Sequence, residues 1–345
     1  MQKETQEAVF SEKKDKQLVY LPEKCIGCGT CVQVCPKGVL SVGAVGAIAR
    51  GLFDGAFLEI IGEECLVCGL CAKVCPTGAL ELSQEGKSLK DDSYISGALK
   101  ATTVSENCAH CGLCEEVCPQ NCITVTREPA GDGSLKLVGK TVVDPENCVH
   151  CGWCEAVCPV DAISVEKPFE GRWEFKETVC QTCHTCIEVC PAGALFNKAG
   201  EAGERVDKIS HRPEACIYCG ACAVACPVDA LDVRKTAILP EMQKKGPLEK
   251  KLLEAPVPKA VLRTSLETDE AACLGCGNCV IVCPVNAAED RELAAGHLNN
   301  LENKAILEVR NGRIGIVDQT RCGGDGTCAL ICPVNAIKLV RREVE

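Results

Sequence analysis

The stretch CIGCGTCVQVCP, Cys25–Pro36, decides how this chain is read: four cysteines spaced C-x2-C-x2-C-x3-C and closed by a proline. The unit recurs as CLVCGLCAKVCP from Cys65, CAHCGLCEEVCP from Cys108, CVHCGWCEAVCP from Cys148, CQTCHTCIEVCP from Cys180, CIYCGACAVACP from Cys216 and CLGCGNCVIVCP from Cys273. An eighth copy, CGGDGTCALICP from Cys322, carries Asp325 at the second cysteine position. Zinc sites commonly use two separated CxxC pairs. Four cysteines within a dozen residues in seven copies, and three with an aspartate in the eighth, each copy closed by the proline, are instead a ligand run for [4Fe–4S] clusters.

The spacing has a mechanical reading. Three thiolates on a turning loop cap three corners of one cubane, and the fourth cysteine, expected to start a short helix, reaches the neighbouring cluster, so that paired motifs cross-ligate. Glycine after the second cysteine (Gly29, Gly69, Gly112, Gly152, Gly220, Gly277 and Gly326) suits a tight left-handed turn, and His184 takes that place in the fifth copy. Apolar tails such as GALEL, DAISV and DALDV predict a helical turn followed by a strand.

The motif resembles that of bacterial-type two-cluster ferredoxins. The fold class expected is therefore α+β: four tandem 2[4Fe–4S] modules of small β-hairpins and short helices around the clusters. Consecutive pairing predicts modules at 17–100, 101–168, 169–235 and 263–345, a polar tail at 1–16 and a Pro/Lys-rich linker at 236–262. A shifted pairing stays conceivable, because Cys158 to Cys180 is the shortest gap, but it would force the first and last motifs together. Hairpins are expected over 123–144 and over 305–318, the latter around Asn311-Gly312.

Composition agrees with an interior built on metal. Hydrophobic residues are 46% and aromatics only 3%. Without cysteine the apolar share falls to about 37%, below the usual 45–50% or so. Cluster binding can supply the missing folding free energy. The N-terminus MQKETQEAVFSEKKDKQ has no apolar signal region, and Gly38–Ala49 (GVLSVGAVGAIA) is too short and glycine-rich to span a bilayer. A cytoplasmic protein without a membrane span is expected. The net charge of −11 would fall to roughly −26 with clusters loaded, which argues against nucleic acid and for protein partners with basic docking faces.

Under consecutive pairing Cys25, Cys28, Cys31 and Cys75 hold one cluster, and Cys65, Cys68, Cys71 and Cys35 its neighbour. Cys108, Cys111, Cys114 and Cys158 pair with Cys148, Cys151, Cys154 and Cys118. Cys180, Cys183, Cys186 and Cys226 pair with Cys216, Cys219, Cys222 and Cys190. Cys273, Cys276, Cys279 and Cys332 bind the seventh cluster, and Cys322, Cys328, Cys283 and Asp325 remain for the eighth. The cofactors are then eight iron–sulfur clusters: seven four-cysteine [4Fe–4S] clusters and one that is either Asp-ligated [4Fe–4S] or [3Fe–4S]. A third reading of Asp325 is a drifted, solvent-facing residue. Cys122, outside the pattern, stands where other units carry Ala79, Ala162 or Ala230 and reads as a buried small side chain. His110, His150 and His184 read as tolerated loop residues or as groups biasing a nearby potential, and Trp153 and Tyr218 as packing shields. The insert 40–60 either covers a cluster or binds a partner. The stretch 227–272 reads as a spacer with a helical turn, or else as a docking arm.

No P-loop, dinucleotide fingerprint, nucleophile elbow or zinc-protease helix is present. No catalytic site is expected, and only the Asp325 cluster could exchange a ligand. Over about residues 18–342 the chain resembles the polyferredoxins of methanogenic archaea. The eight-motif length and the insert GAIARGLFDGAFLEI are most similar to the polyferredoxin subunits of tungsten- or molybdenum-containing formylmethanofuran dehydrogenases. That resemblance implies an electron-transfer subunit of an anaerobic oxidoreductase complex that reduces carbon dioxide in methanogenesis. The implied partners are metal–pterin and amidohydrolase subunits, with low-potential electrons supplied by heterodisulfide reductase. A freely diffusing carrier or electron store, or the polyferredoxin of a hydrogenase or heterodisulfide reductase complex, is the alternative.

Overall fold

The structure, a computed structural model, describes residues 8–13, 15–62, 64–89, 101–131, 137–238, 247–260, 264–290 and 305–342. Its plan follows from the motif. The residue after the second cysteine adopts positive φ in every copy, from 60° at His184 to 98° at Gly220. That left-handed residue reverses the chain and caps a helix of four or five residues, such as Thr30–Val34 and Leu70–Lys73. The helix lies before the fourth cysteine and not after it, which corrects the expectation that this cysteine starts it. The reason is the following proline, which drives Cys35 to extended geometry (φ −61°, ψ 118°) and ends the helix there. Only in the seventh copy does a helix also follow, Pro284–Glu289, with proline in its first turn.

Strands close the units in a repeated way. The strand before an odd-numbered motif pairs antiparallel with the strand after the next even-numbered one: Lys16–Tyr20 with Leu80–Gln84, Thr102–Val104 with Ile163–Val165, Phe169–Phe175 with Leu231–Ile238, and Thr264–Thr268 with Ile337–Arg341. Between the two motifs the chain turns back as a hairpin: Leu40–Val42 with Leu58–Ile60, Ile123–Pro129 with Leu137–Val143, Leu195–Phe196 with Ser210–His211, and Leu307–Arg310 with Arg313–Ile316. Both hairpins read from the sequence form. The last turns at Asn311 (φ 50°) and Gly312 (φ 74°), the geometry that Asn-Gly favours. The motif helices then touch in the same pairs, Thr30–Val34 with Leu70–Lys73 and Asn278–Ile281 with Thr327–Ile331 among them. These are tandem dicluster ferredoxin domains of small strands and short helices.

The connecting segments were less legible. Of the expected polar tail, Ala8–Lys13 is a strand paired with Lys16–Tyr20, while residues 1–7 lie outside the described residues. The third outer strand runs on to Ile238, three residues into the expected linker. Beyond it, Pro247–Glu254 is a helix whose Leu252 is buried with Val34, Val74, Phe169 and Ile238. Gln33 donates from Nε2 to the carbonyls of Ala255 (3.1 Å) and Pro256 (2.9 Å). The described part of the linker is therefore a strap binding the first motif pair to the third. The insert 40–60 folds inward too. It forms a short hairpin around helix Val45–Ala49, and Ala44 and Ala47, with Leu52 and Phe53 against them, join the core of the last motif pair. Among the described residues no helix is long and apolar enough to cross a membrane.

Candidate metal centres

Each centre takes the number of the motif that supplies three of its cysteines. Four cavities are each lined by three cysteines of one motif together with the fourth cysteine of its partner motif. Centre 1 is lined by Cys25, Cys28, Cys31 and Cys75, and centre 2 by Cys65, Cys68, Cys71 and Cys35. Cys148, Cys151, Cys154 and Cys118 line centre 4, and Cys273, Cys276, Cys279 and Cys332 line centre 7. At centres 5, 6 and 8 the same three-plus-one neighbourhoods are visible in the electrostatics. Cys186 feels Cys183, Cys226 and Cys180; Cys222 feels Cys219, Cys190 and Cys216; Cys328 feels Asp325, Cys322 and Cys283. Of centre 3, Cys114 feels Cys108 and Cys111. Among the described residues no three His, Cys, Asp or Glu side chains converge on one ion-sized point. Each iron of a cubane takes a single thiolate, so spread thiolates around a cavity fit a cluster and not a lone ion.

Backbone N–H groups aim at these sulfurs. Position i+2 after the first cysteine has positive φ in all eight copies, and the N–H of Val67, Thr182, Tyr218, Gly275 and Gly324 lies 3.4 Å from the Sγ of that cysteine. Four residues past the fourth cysteine, the N–H of Ala79, Ala162, Ala194, Ala230 and Ala336 reaches its Sγ at 3.1–3.3 Å. Such donors stabilise thiolates and raise cluster potentials. In the metal-free chain burial dominates, pushing the thiols of Cys25, Cys71, Cys154 and Cys283 up to about 12.

Asp325 does not face solvent. It is 6% exposed, and its Oδ2 accepts from the Thr327 N–H (3.1 Å) and from the Thr327 hydroxyl. The guanidinium of Arg50 lies 3.6 Å from the same oxygen. Among the described residues Oδ1 makes no hydrogen bond, which leaves it as the oxygen a metal could use. Cys122 is buried at 7%, as its register suggests, but it does more than fill space: its Sγ is 3.4 Å from Cys118 Sγ. A hydrogen bond to Cys148 keeps the Cys122 thiol protonated and lowers Cys148 in return.

The histidines divide. His150 Nδ1 is 3.0 Å from Thr102 Oγ1, which is 3.5 Å from Cys148 Sγ; His110 Nδ1 is 3.0 Å from Thr141 Oγ1, itself 3.3 Å from Cys108 Sγ. A threonine thus bridges histidine to first cysteine at centres 3 and 4. The C-x-H-C spacing hints at this, but the two threonines come from distant strands and could not be found by spacing. Among the described residues His184 makes one weak contact, with Asn197 (3.5 Å). Trp153 packs as expected, donating to the Ala192 carbonyl (2.8 Å) beneath the Arg212 guanidinium.

The second-position residues of the eight motifs sort into three groups. Cys28, Cys151 and Cys219 are buried in one apolar cluster with Val149, Ala192 and Ile217. Cys183 and Asp325 lie near each other, linked through Arg50, which donates to both of their carbonyls. Cys68, Cys111 and Cys276 are exposed.

Comparison with known proteins bears on the whole chain. A family profile described as "4Fe-4S dicluster domain" matches residues 2–39, 24–79, 64–122, 107–162, 147–194, 215–287 and 272–336, and a second profile of the same description matches 179–231. The NADH-quinone oxidoreductase subunit I 2 of Geobacter metallireducens is 46% identical over 56 residues, 15% of this chain and 42% of that protein. An uncharacterized ferredoxin of Methanocaldococcus jannaschii is 40% identical over 57 residues, 16% of this chain and 33% of that one. The chain thus spans less than half the length of these curated relatives. Among solved structures, a chain of the formate dehydrogenase–heterodisulfide reductase–formylmethanofuran dehydrogenase complex from Methanospirillum hungatei superposes with a TM-score of 0.59 at 28% identity, over 75% of this chain and 94% of that chain. With its cysteine cavities, tandem units and these likenesses, the chain belongs to the 4Fe-4S dicluster domain family and is a multi-cluster iron–sulfur electron-transfer protein.

Proposed function

We propose that the chain is a three-ended electron relay within a formylmethanofuran dehydrogenase complex. Four two-cluster modules, near 17–100, 101–168, 169–238 and 263–345, hold eight clusters on the motif cysteines and Asp325. The observation that carries this is the sorting of second-position residues. Centres 1, 4 and 6 meet at Cys28, Cys151 and Cys219, centres 5 and 8 meet across Arg50, and centres 2, 3 and 7 are left at the surface. Combined with the pairing inside each module, this gives one branched path with ends at centres 2, 3 and 7. Electron hopping falls steeply with separation, so abutting loops are the routes and exposed cysteines the ports.

The ports are dressed for contact. Leu66, Leu113 and Leu274 stand beside the exposed cysteines at 44%, 46% and 66% exposure, whereas Val149 and Ile217, at the register of Leu66 and Leu274, are buried at the junction. Apolar side chains at a port allow a dry, close approach by a partner. A path with three ends suits a complex that joins several redox enzymes, and the M. hungatei assembly, which contains a chain of this fold, names three. The proposed donor is a heterodisulfide reductase and the proposed acceptor the metal–pterin subunit; the chain itself carries out no substrate chemistry. A cytoplasmic location accompanies this reading.

The test is to charge each port separately. Leu66→Glu, Leu113→Glu and Leu274→Glu, in chains with full iron and sulfide content, should each slow electron exchange with one partner by about tenfold or more. The wild-type chain should co-purify with a metal–pterin subunit. A chain that purifies alone, and whose three variants exchange electrons at wild-type rates, would contradict the relay.

A further inference from the structure

Among the described residues, two cationic side chains are almost wholly withdrawn from water. Lys235 is 5% exposed, and the side chain of Arg50 is 3% exposed. Taking a cation out of water is costly unless negative charge lies close by. For Lys235 no carboxylate does so among the described residues. Its Nζ donates to the Cys219 carbonyl (3.0 Å) and to Gln33 Oε1 (3.4 Å), over the face of Phe169. Gln33 belongs to the motif helix of centre 1 and Cys219 to the loop of centre 6, so the ammonium sits between two modules.

Arg50 repeats the arrangement elsewhere. It comes from the insert of the first module, yet Nη2 donates to the Cys183 carbonyl at centre 5 (2.8 Å) and Nη1 to the Asp325 carbonyl at centre 8 (2.9 Å). Glu188 pairs with it from the rim. Other cations also donate to cysteine carbonyls: Arg127 to Cys111, Lys208 to Cys180, and Lys167, which crosses between the second and third modules, to Cys216. None of these three is buried to the same degree.

We propose that Lys235 and Arg50 are junction counter-charges, each holding a fixed positive charge where an electron crosses from one module to the next. This rests on the relay reading and deepens it. A cubane on four thiolates carries roughly two negative charges, and about one more when reduced. Two such centres facing each other across a water-poor contact repel, and the repulsion grows as either accepts an electron. A cation between them offsets that growth, so the junction centres accept electrons at higher potential than the three exposed ends. Electrons then collect inside the relay and leave through whichever port is occupied. That no carboxylate among the described residues lies beside Lys235 follows: its counter-ions are the clusters.

The experiment is a redox titration of the full reconstituted chain followed by electron paramagnetic resonance. Lys235→Met should shift two of the clusters to lower potential and leave the others unmoved, and Lys235→Arg should restore them. Arg50→Gln should shift a different pair, and Lys87→Met, at an exposed strand position away from the cysteine loops, none. If Lys235→Met fails to assemble its clusters, Arg50→Gln and the charge-keeping Arg50→Lys decide by the same criterion. Titrations that superpose on wild type at full cluster content would overturn the counter-charge while leaving the relay intact. Loss of partner exchange with these shifts still present would do the reverse.

Discussion

Asp325 is the one second-position residue that is not cysteine, and its surroundings give the carboxylate two separate tasks. Thr327 and Arg50 occupy Oδ2, among the described residues Oδ1 makes no hydrogen bond, and the carboxylate perturbs the thiols of Cys322, Cys328 and Cys283. If Oδ1 ligates iron, Asp325→Ala should open one corner and convert a single cluster to the three-iron form, visible as a new paramagnetic signal in the oxidised protein. Asp325→Cys should yield eight four-cysteine clusters and remove any such signal. An alanine variant with the wild-type spectrum and iron content would rule out ligation by this residue. Register alone pointed to Asp325. Its clamp by Arg50, 275 positions away in sequence, had no signal in the local pattern.

At the scale of elements, the helix Val45–Ala49 acts as a wedge. A Cβ on Gly46 would stand 2.6 Å from Thr185 Cγ2 and 3.1 Å from Asp325 Cα, so only glycine lets this helix lie against both motif loops. The Ala47 N–H donates to the Gly324 carbonyl (3.2 Å), which fixes the contact. Replacing Gly46 with valine should cost about 1–3 kcal/mol by overpacking and displace Arg50 from its junction. The measurable result is faster loss of visible absorbance on heating, with proteolytic cleavage newly admitted between residues 43 and 56. A valine variant as heat-stable and as protease-resistant as wild type would show that the wedge is not under such pressure. The sequence left this insert open between covering a cluster and binding a partner. In the structure part of it packs into the core of the last motif pair; a run of small and apolar residues can cover any apolar face, and which face depends on the placement of modules that the local pattern does not encode.

For the whole molecule, cluster assembly and protonation oppose one another. The buried thiols of Cys25 and Cys71 rise to about 12, and those of Cys216 and Cys279 to about 11, from an ordinary 9.0. A neutral acid with a raised pKa favours the folded, metal-free state fully below about pH 9, and that advantage is lost as pH climbs through about 11–12. Iron needs the thiolate, so loading expels these protons and becomes easier in the same direction. Reconstitution in a weakly buffered solution should therefore release protons, and the iron retained against a fixed chelator should increase from about pH 7 to about 9. Proton uptake, or chelator resistance that falls over this range, would contradict the burial of these thiols.

The amino-acid sequence by itself determined the chemistry and the local fold. Three cysteines in seven residues can cap three corners of one cubane only on a turning loop, and the glycine that turns it and the proline that ends the short helix are neighbours in the chain. Spacing alone therefore suffices for the apolar strands and the two hairpins, which stand where it put them, whereas the helix expected to begin at the fourth cysteine lies before it. Only the tertiary structure decided how the units meet: which second cysteines are buried together, which are exposed, and where Lys235, Arg50, Thr102 and Thr141 come to rest. Those contacts join residues tens to hundreds of positions apart through surfaces of similar small apolar side chains. Many pairings of such surfaces look equivalent in sequence, and only the fitted shapes and buried charges of the assembled chain select one.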